Sequence, residues 1–269
     1  MALKSAPADT AVVRVTGEDA AAFLQGQCSA DLRNAPLVDA LWLNRKGRVL
    51  AHTVIAKEAD GSFLLLCPHL SAAELIAIVT ANVIADDVVA TEESAQWQRV
   101  VVWGEGSVEV LTGGRLFSTR RFGVTAWEVL APAEVKLPWT VGVFAELDAL
   151  RISAGVPSVP ADCGAHEFPQ ECGLDAWVSY TKGCYLGQEV MARIQSMGSL
   201  RRILRKVSGP VSVGQELKSL EGKVVGTVRS AAGDTGLALV SVDLPEGTSL
   251  VTDRGPVLLG VPALMSARP

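Results

Sequence analysis

The chain has 269 residues, 49% of them hydrophobic and 20% charged, with 24 basic against 29 acidic side chains and a formal net charge of −5. That balance describes a globular chain long enough to bury a large core in more than one structural unit; it excludes a disordered chain and gives no general case for nucleic-acid binding. The five cysteines are odd in number and form no C-x-x-C pair, which predicts a reducing cytoplasm and argues against a disulfide framework or a zinc or iron–sulfur ligand set. The first residues lack the apolar stretch of a secretory signal, and no apolar run reaches membrane-spanning length.

Residues 11–15 predict a short strand, and Thr16-Gly17-Glu18-Asp19 predicts a helix start with Thr16 as N-cap. Ala20, Phe23 and Leu24 then share one helical face. Residues 48–56 and 62–67, joined through Asp60-Gly61, predict a β-hairpin. His52 lies in its first strand, where alternation makes its face decisive. Ser71 and Glu74 form a capping box, continued by Leu75, Ile78 and Val79. Strands are expected at 99–103, 107–111 and 124–130. Residues 146–154 predict a helix with Leu147, Leu150 and Ala154 on one side, closed by Gly155 and Pro157. From residue 202 onward, short β-like runs at 202–207, 223–230, 237–242 and 257–261 alternate with glycine turns, the pattern of a small barrel or sandwich.

The run Lys182-Gly183-Cys184-Tyr185-Leu186-Gly187-Gln188-Glu189 stands apart from this packing material. A thiol becomes nucleophilic as the thiolate, which a nearby cation and a following helix N-terminus both favour. Lys182 is the expected cation, and Cys184 the expected functional thiol. Tyr185 either stacks on a ring or fills space. Glu189 and Arg193 stand four apart, so a surface ion pair competes with anion binding as their role. Residues 181–206 hold six basic side chains and one acid. Such a strip suits an anionic partner or a solvated face, and the lack of interleaved aromatics between Arg193 and Lys206 disfavours single-stranded RNA. Cys163, Cys172 and Cys184, with or without His166, match no metal-ligand spacing.

Four blocks, in this order and spacing, carry a resemblance: Phe23-Leu-Gln-Gly-Gln27 with Leu43-Asn-Arg-Lys-Gly-Arg-Val-Leu50, then 151–157, then 167–175, then 182–193. Together they resemble the YgfZ family of folate-binding proteins, which is related to the T-protein (aminomethyltransferase) of the glycine cleavage system. The resemblance implies an α+β fold that is antiparallel and β-rich. It places a folate-binding region over 1–200, with a ferredoxin-like insert over about 50–130, and a C-terminal β-barrel over 201–269, set around a central opening. It further implies tetrahydrofolate as cofactor and a role in iron–sulfur cluster assembly or repair. The partners implied are iron–sulfur proteins or their assembly factors, and through cluster enzymes the role extends to tRNA modification. On this basis Cys184 and Lys182 are expected to carry the chemistry. Tyr185, Arg151, Ser153, Gln188, Glu189 and Arg193 are expected to line the folate site, with no metal ligand.

The chain also departs from the T-protein pattern. Ala51 and His52 stand where T-proteins carry a catalytic aspartate, and Cys184 replaces another acid. Ser153 stands where relatives present a glutamate to the pteridine, and Thr10 and Leu147 stand where some carry tryptophan. A one-carbon transferase is therefore the alternative reading, and glycine-cleavage activity is not expected.

Overall fold

The structure is a computed structural model that describes residues 2–33, 35–198 and 200–264. In chain order it forms β1 (Lys4–Pro7), β2 (Thr10–Thr16), α1 (Ala20–Gln27), β3 (Leu37–Leu43), β4 (Val49–Lys57), β5 (Phe63–Pro68), α2 (Ala72–Thr80) and β6 (Val89–Glu92). There follow β7 (Trp97–Trp103), β8 (Arg115–Thr119), β9 (Ala126–Pro132), β10 (Thr140–Val141), α3 (Phe144–Ala154) and α4 (Gln188–Met197). The last strands are β11 (Arg202–Ser208), β12 (Glu216–Lys218), β13 (Val224–Ala232), β14 (Thr235–Ser241), β15 (Ser249–Thr252) and β16 (Gly255–Pro262).

These strands build one sheet in the order β3-β4-β5-β2-β6, a second in the order β10-β1-β7-β9-β8, and a closed barrel β11-β14-β13-β12-β15-β16. The region expected over about 50–130 supplies strands to both sheets. The first sheet is buried on both faces, so its strands read as nearly continuous apolar runs. Val13, Ile55 and Leu65 pack under α1 and α2 with Phe23, Leu24 and Leu75. Val12, Val54, Leu64 and Leu66 face the second sheet through Phe117 and Leu130. Adjacent residues thus serve opposite layers, as the two-residue period of a strand requires.

The hairpin at Asp60-Gly61 and the Ser71–Glu74 capping box form as the sequence predicts. Thr16 does not cap α1: it ends β2, and Asp19 takes the N-cap position without capping through its side chain. The Asp19 carboxylate accepts instead from the Asp87 backbone N–H at 2.8 Å, which ties α1 to the turn before β6. Residues 107–111 form no strand. Gly106 takes φ +137° before them, and beyond them Gly114 donates to the Leu111 carbonyl at 2.7 Å, so the chain turns there and the strand forms later, as β8.

Helix α3 buries a different face from the one expected. Leu147, Arg151 and Ile152 are buried, whereas Leu150 is 40% exposed. The helix bridges two units: Leu147 packs beneath the second sheet with Val101, Trp103 and Phe122, and Ile152 packs on barrel residues Leu204, Leu237 and Leu239. Gly155 ends it at φ +76°, in a left-handed conformation that a side chain resists.

Candidate functional site

Three of the sequence blocks meet around the loop before α4. Leu186 donates from its backbone to Gly26 at the end of α1. A Cβ on Gly187, at φ +86°, would lie 2.9 Å from the Asn44 carbonyl oxygen, and a Cβ on Gly47 would strike Met191 of α4. Asn44 itself holds the β3–β4 turn by accepting from the Lys46 and Arg48 backbone N–H groups. The glycines in these blocks therefore allow two backbones to touch. Gln25 bonds locally, to Asp31 and Leu32, whereas Gln27 accepts from the distant Asn82 past the end of α2.

Within this loop Lys182 and Cys184 part company. The Lys182 ammonium turns inward and donates to the backbone carbonyls of Cys28 and Ala30, just past the C-terminus of α1. Burial lowers its pKa from the ordinary lysine value. It also lies 5.3 Å from the centre of the Tyr185 ring. The Lys182 charge thus serves α1 rather than the Cys184 thiol, since a chain that spends its amine on core carbonyls cannot also turn it outward. Cys184 is exposed, the one exposed thiol among the five free cysteines. Tyr185 is buried in a cluster with Leu41, Leu43, Trp177 and Met191, and burial pushes its phenol up to about 12. Glu189 and Arg193 pair with each other at 2.9 Å on the open face of α4. Gln188 opens that helix, half-buried.

The basic strip is mostly spent inside the molecule. Arg202 pairs with Glu171 at 3.3 Å, Arg205 donates to the Gly260 and Leu244 carbonyls, and Lys206 donates to the Ser153 carbonyl. Arg48 and Arg229 complete this seam through Glu171 and Glu167. The contacts of Arg202, Lys206 and Arg229 dock the barrel against the preceding segments, while those of Arg205 lie within the barrel. Cys163 and Cys172 are fully buried, with thiols directed at the Phe168 and Asp162 carbonyls. Among the described residues no group of three or more His, Cys, Asp or Glu side chains could hold a metal ion.

The opening lies elsewhere, between the two sheets, α3 and the barrel. A cavity of about 620 Å³ is lined by His69, Phe144, Ala145, Asp148, Arg151, Pro160, Val213 and Arg229, among others. At its inner end, sharing His69, Phe144, Asp148 and Arg151, is a niche of about 10 Å³ that His52, Arg121 and Trp177 also line. The β3–β4 register explains how His52 arrives there. Leu41 pairs with His52 and Asp39 with Val54, so Asp39 lies diagonal to His52 on the same face. His52 Nε2 meets Asp39 Oδ1 at 2.9 Å. Its ring stacks on Trp177 with centroids 4.0 Å apart and planes 9° apart. Burial, the largest influence, lowers the His52 pKa despite Asp39. His69 holds φ +70°, a strained backbone for a residue with a side chain, at the same rim.

The arginines of the opening are already neutralised. Arg151 donates to Asp148, to Asp162 at 2.6 Å, to the Val156 carbonyl and to Ser230 of the barrel. Arg121 pairs with Glu128 at 2.9 Å. Arg151 therefore builds the wall and has no fork left for a ligand carboxylate. Arg229 at the mouth likewise pairs with Glu167, at 2.6 Å, and its Nε is buried without a partner. Ser153 is exposed, with its carbonyl under Lys206, and is not among the residues that line the opening. It stands two residues past Arg151, about 200° further round the helix. Asp39, His69, Arg121, Asp148, Trp177 and Arg229 are thus candidate residues that motif reading did not single out, whereas His52 was already named beside Ala51. Only His52 carried a signal, as a titratable group in an apolar strand.

This architecture is that of a glycine-cleavage T-protein carrying a terminal barrel. A family model for the GCVT N-terminal domain matches residues 9–136, and one for the CAF17 C-terminal beta-barrel domain matches residues 191–267. A crystal structure of glycine cleavage system aminomethyltransferase T from Bartonella henselae superposes with a TM-score of 0.82 at 16% identity, over 97% of this chain and 85% of that one. The chain is 29% identical to the mitochondrial iron-sulfur cluster assembly factor IBA57 of Mus musculus, over 95% of this chain and 82% of that protein. It is 25% identical to the tRNA-modifying protein YgfZ of Vibrio vulnificus, over 88% of this chain and 78% of that protein. The chain thus carries a GCVT-like domain followed by a CAF17-type C-terminal barrel domain, and its homologues include proteins named YgfZ and IBA57.

Proposed function

We propose that this protein is a folate-binding accessory factor that supports iron–sulfur cluster assembly or repair, and through cluster-dependent enzymes the modification of tRNA. One observation carries the reading: the likeness to proteins named for those two tasks runs over 95% and 88% of the chain. The division into a folate-binding region over 1–200 and a barrel over 201–269 belongs to the same reading.

The residues of the opening fit a folate. Its volume of about 620 Å³ suits a ligand of that size, in the usual range of roughly 300–1,000 Å³. Phe144 offers aromatic surface and Arg229 lies at the mouth for an acidic tail, while His52 and Trp177 border only the niche of about 10 Å³. Tetrahydrofolate when bound supplies one-carbon carrier chemistry. This chain's residues enclose the ring and set which polar groups meet it. Cys184, outside the opening and exposed, is the thiol presented to a partner iron–sulfur protein or assembly factor, with the cluster as cargo. A reducing compartment such as the cytoplasm suits five unpaired cysteines. Among the described residues no helix is long and apolar enough to cross a membrane.

Cys184→Ser is expected to keep the wild-type unfolding midpoint yet fail to restore cluster-dependent enzymes in cells lacking the protein. Full restoration overturns the thiol's role. Calorimetric titration with tetrahydrofolate tests the ligand directly. The alternative, a one-carbon transferase, draws on His52 at the opening, because a proton acceptor there could serve a reacting group. Methylenetetrahydrofolate formed in a reconstituted glycine-cleavage assay, and lost in His52→Ala, would select it.

A further inference from the structure

Two of the five free cysteines, Cys163 and Cys172, lie together in the stretch between α3 and α4. Both are wholly buried, in the cluster that also holds Leu41, Val156 and Leu174. Each thiol reaches toward the other's part of the chain. Cys172 Sγ donates to the Asp162 carbonyl at 3.6 Å, and that carbonyl is bonded to the Cys163 nitrogen. Cys163 Sγ donates to the Phe168 carbonyl at 3.8 Å, just ahead of the turn that carries Cys172. The two side chains are neighbours: after burial itself, the Cys172 thiol is the largest influence pushing the Cys163 thiol up.

The segment between these cysteines is one that docks the barrel. Glu167 pairs with Arg229 of β13 at 2.6 Å, and Glu171 pairs with Arg202 of β11 and with Arg48. Arg48 in turn lies 3.4 Å from the centre of the Phe168 ring. Asp162, next to Cys163, accepts from Arg151 of α3 and Ser230 of β13. Beyond a short 3-10 turn, Pro169–Cys172, the segment has no regular structure, so side-chain contacts hold it in place. A covalent tie across its ends would remove chain freedom that those contacts otherwise have to overcome.

We propose that Cys163 and Cys172 are a redox modification site, joining as a disulfide under oxidising conditions to form a reversible latch on the segment that holds the barrel. The co-reactant is a small disulfide such as oxidised glutathione. One cysteine, as thiolate, attacks a sulfur of the reagent and expels the first glutathione thiolate. The second cysteine then attacks the sulfur of the first and expels the other. The pair loses two electrons and two protons, and the reagent becomes two thiols. Burial keeps the Cys163 proton in place in the folded state, so exchange waits on local opening of the segment. Cys184, being exposed, meets the same reagent directly. The latch therefore ignores brief oxidation and closes when oxidation is sustained.

The test is a thiol map read together with a melting curve. Trypsin isolates the pair, because residues 152–182 contain no lysine or arginine before Lys182 and no third cysteine. Wild-type protein is held with oxidised glutathione, unfolded in denaturant with an alkylating reagent, and digested. The 152–182 peptide should be unalkylated and lighter than its reduced form by two hydrogens. Cleaved further after Glu167 or Glu171, its two halves should stay joined until dithiothreitol is added. Oxidation should raise the melting temperature by roughly 5–10 °C, reversed by dithiothreitol. Cys172→Ala should show no such rise. If both cysteines of that peptide are alkylated, or each carries its own glutathione, while Cys184 in the same sample is glutathionylated, the inference is overturned. A rise of equal size in Cys172→Ala also overturns it, since the stabilising bond would then lie elsewhere.

Discussion

The loop before α4 and the opening beside α3 divide the features expected of a single site. The loop has the conspicuous residues, yet most of them serve structure: Lys182 holds carbonyls, Gly187 admits Asn44, Tyr185 fills the core, and Glu189 and Arg193 pair with each other. Cys184 is the exposed thiol that the loop presents. The opening is assembled from residues far apart in the chain, of which only Arg151 and Pro157 fall in one of the four blocks. A short spacing-dependent pattern can thus encode a docking joint, while recognition chemistry comes from sheet register and helix rotation.

The strongest way to break this contrast is to remove the interior charge. Arg151→Met strands Asp162, which is fully buried, and should cost about 3–5 kcal/mol of stability. Denaturant unfolding reads that loss directly. Arg193→Met, on the exposed pair of α4, is its counterpart and should change stability by less than about 0.5 kcal/mol. Equal effects would mean that α3 and α4 do not divide the work as described.

A smaller effect separates the two glycines of the loop. Both Gly183, at φ +101°, and Gly187, at φ +86°, take left-handed backbones, so alanine at either should cost about 1–2 kcal/mol. Gly187→Ala adds a clash with the Asn44 backbone, whereas nothing lies within 4 Å of a Cβ at Gly183. Gly187→Ala should therefore lower the urea midpoint further than Gly183→Ala. Matching midpoints would show that the loop does not dock tightly on the β3–β4 turn.

The smallest effect is a slope. Burial lowers the folded pKa of His52 below its ordinary value of 6.5, with the same direction at His69. Between that value and the folded one, the unfolded chain binds the extra proton, so stability falls as pH falls below about 6.5. His52→Phe should flatten the pH dependence of the unfolding free energy in that window. An unchanged slope would place the charge change elsewhere.

Amphipathic periods, the Ser71–Glu74 box, the Asp60-Gly61 turn, the glycine that ends α3 and most of the barrel strands were all legible in the sequence, because each depends on neighbours a few residues away. The order of the four blocks also pointed to the family, since together they specify one architecture. What only the tertiary structure decided was which face each element turns inward, and toward what. Arg151 looks like a ligand arginine until Asp162 and Ser230 arrive from a loop and a barrel strand to occupy it. Ser153 looks like a pteridine partner until the rotation of α3 carries it outward. His52 becomes a candidate acceptor only because the β3–β4 register sets Asp39 beside it and the chain returns more than a hundred residues later to lay Trp177 on its ring. Burial and charge pairing are properties of the assembled molecule, and a linear pattern of residue types carries neither.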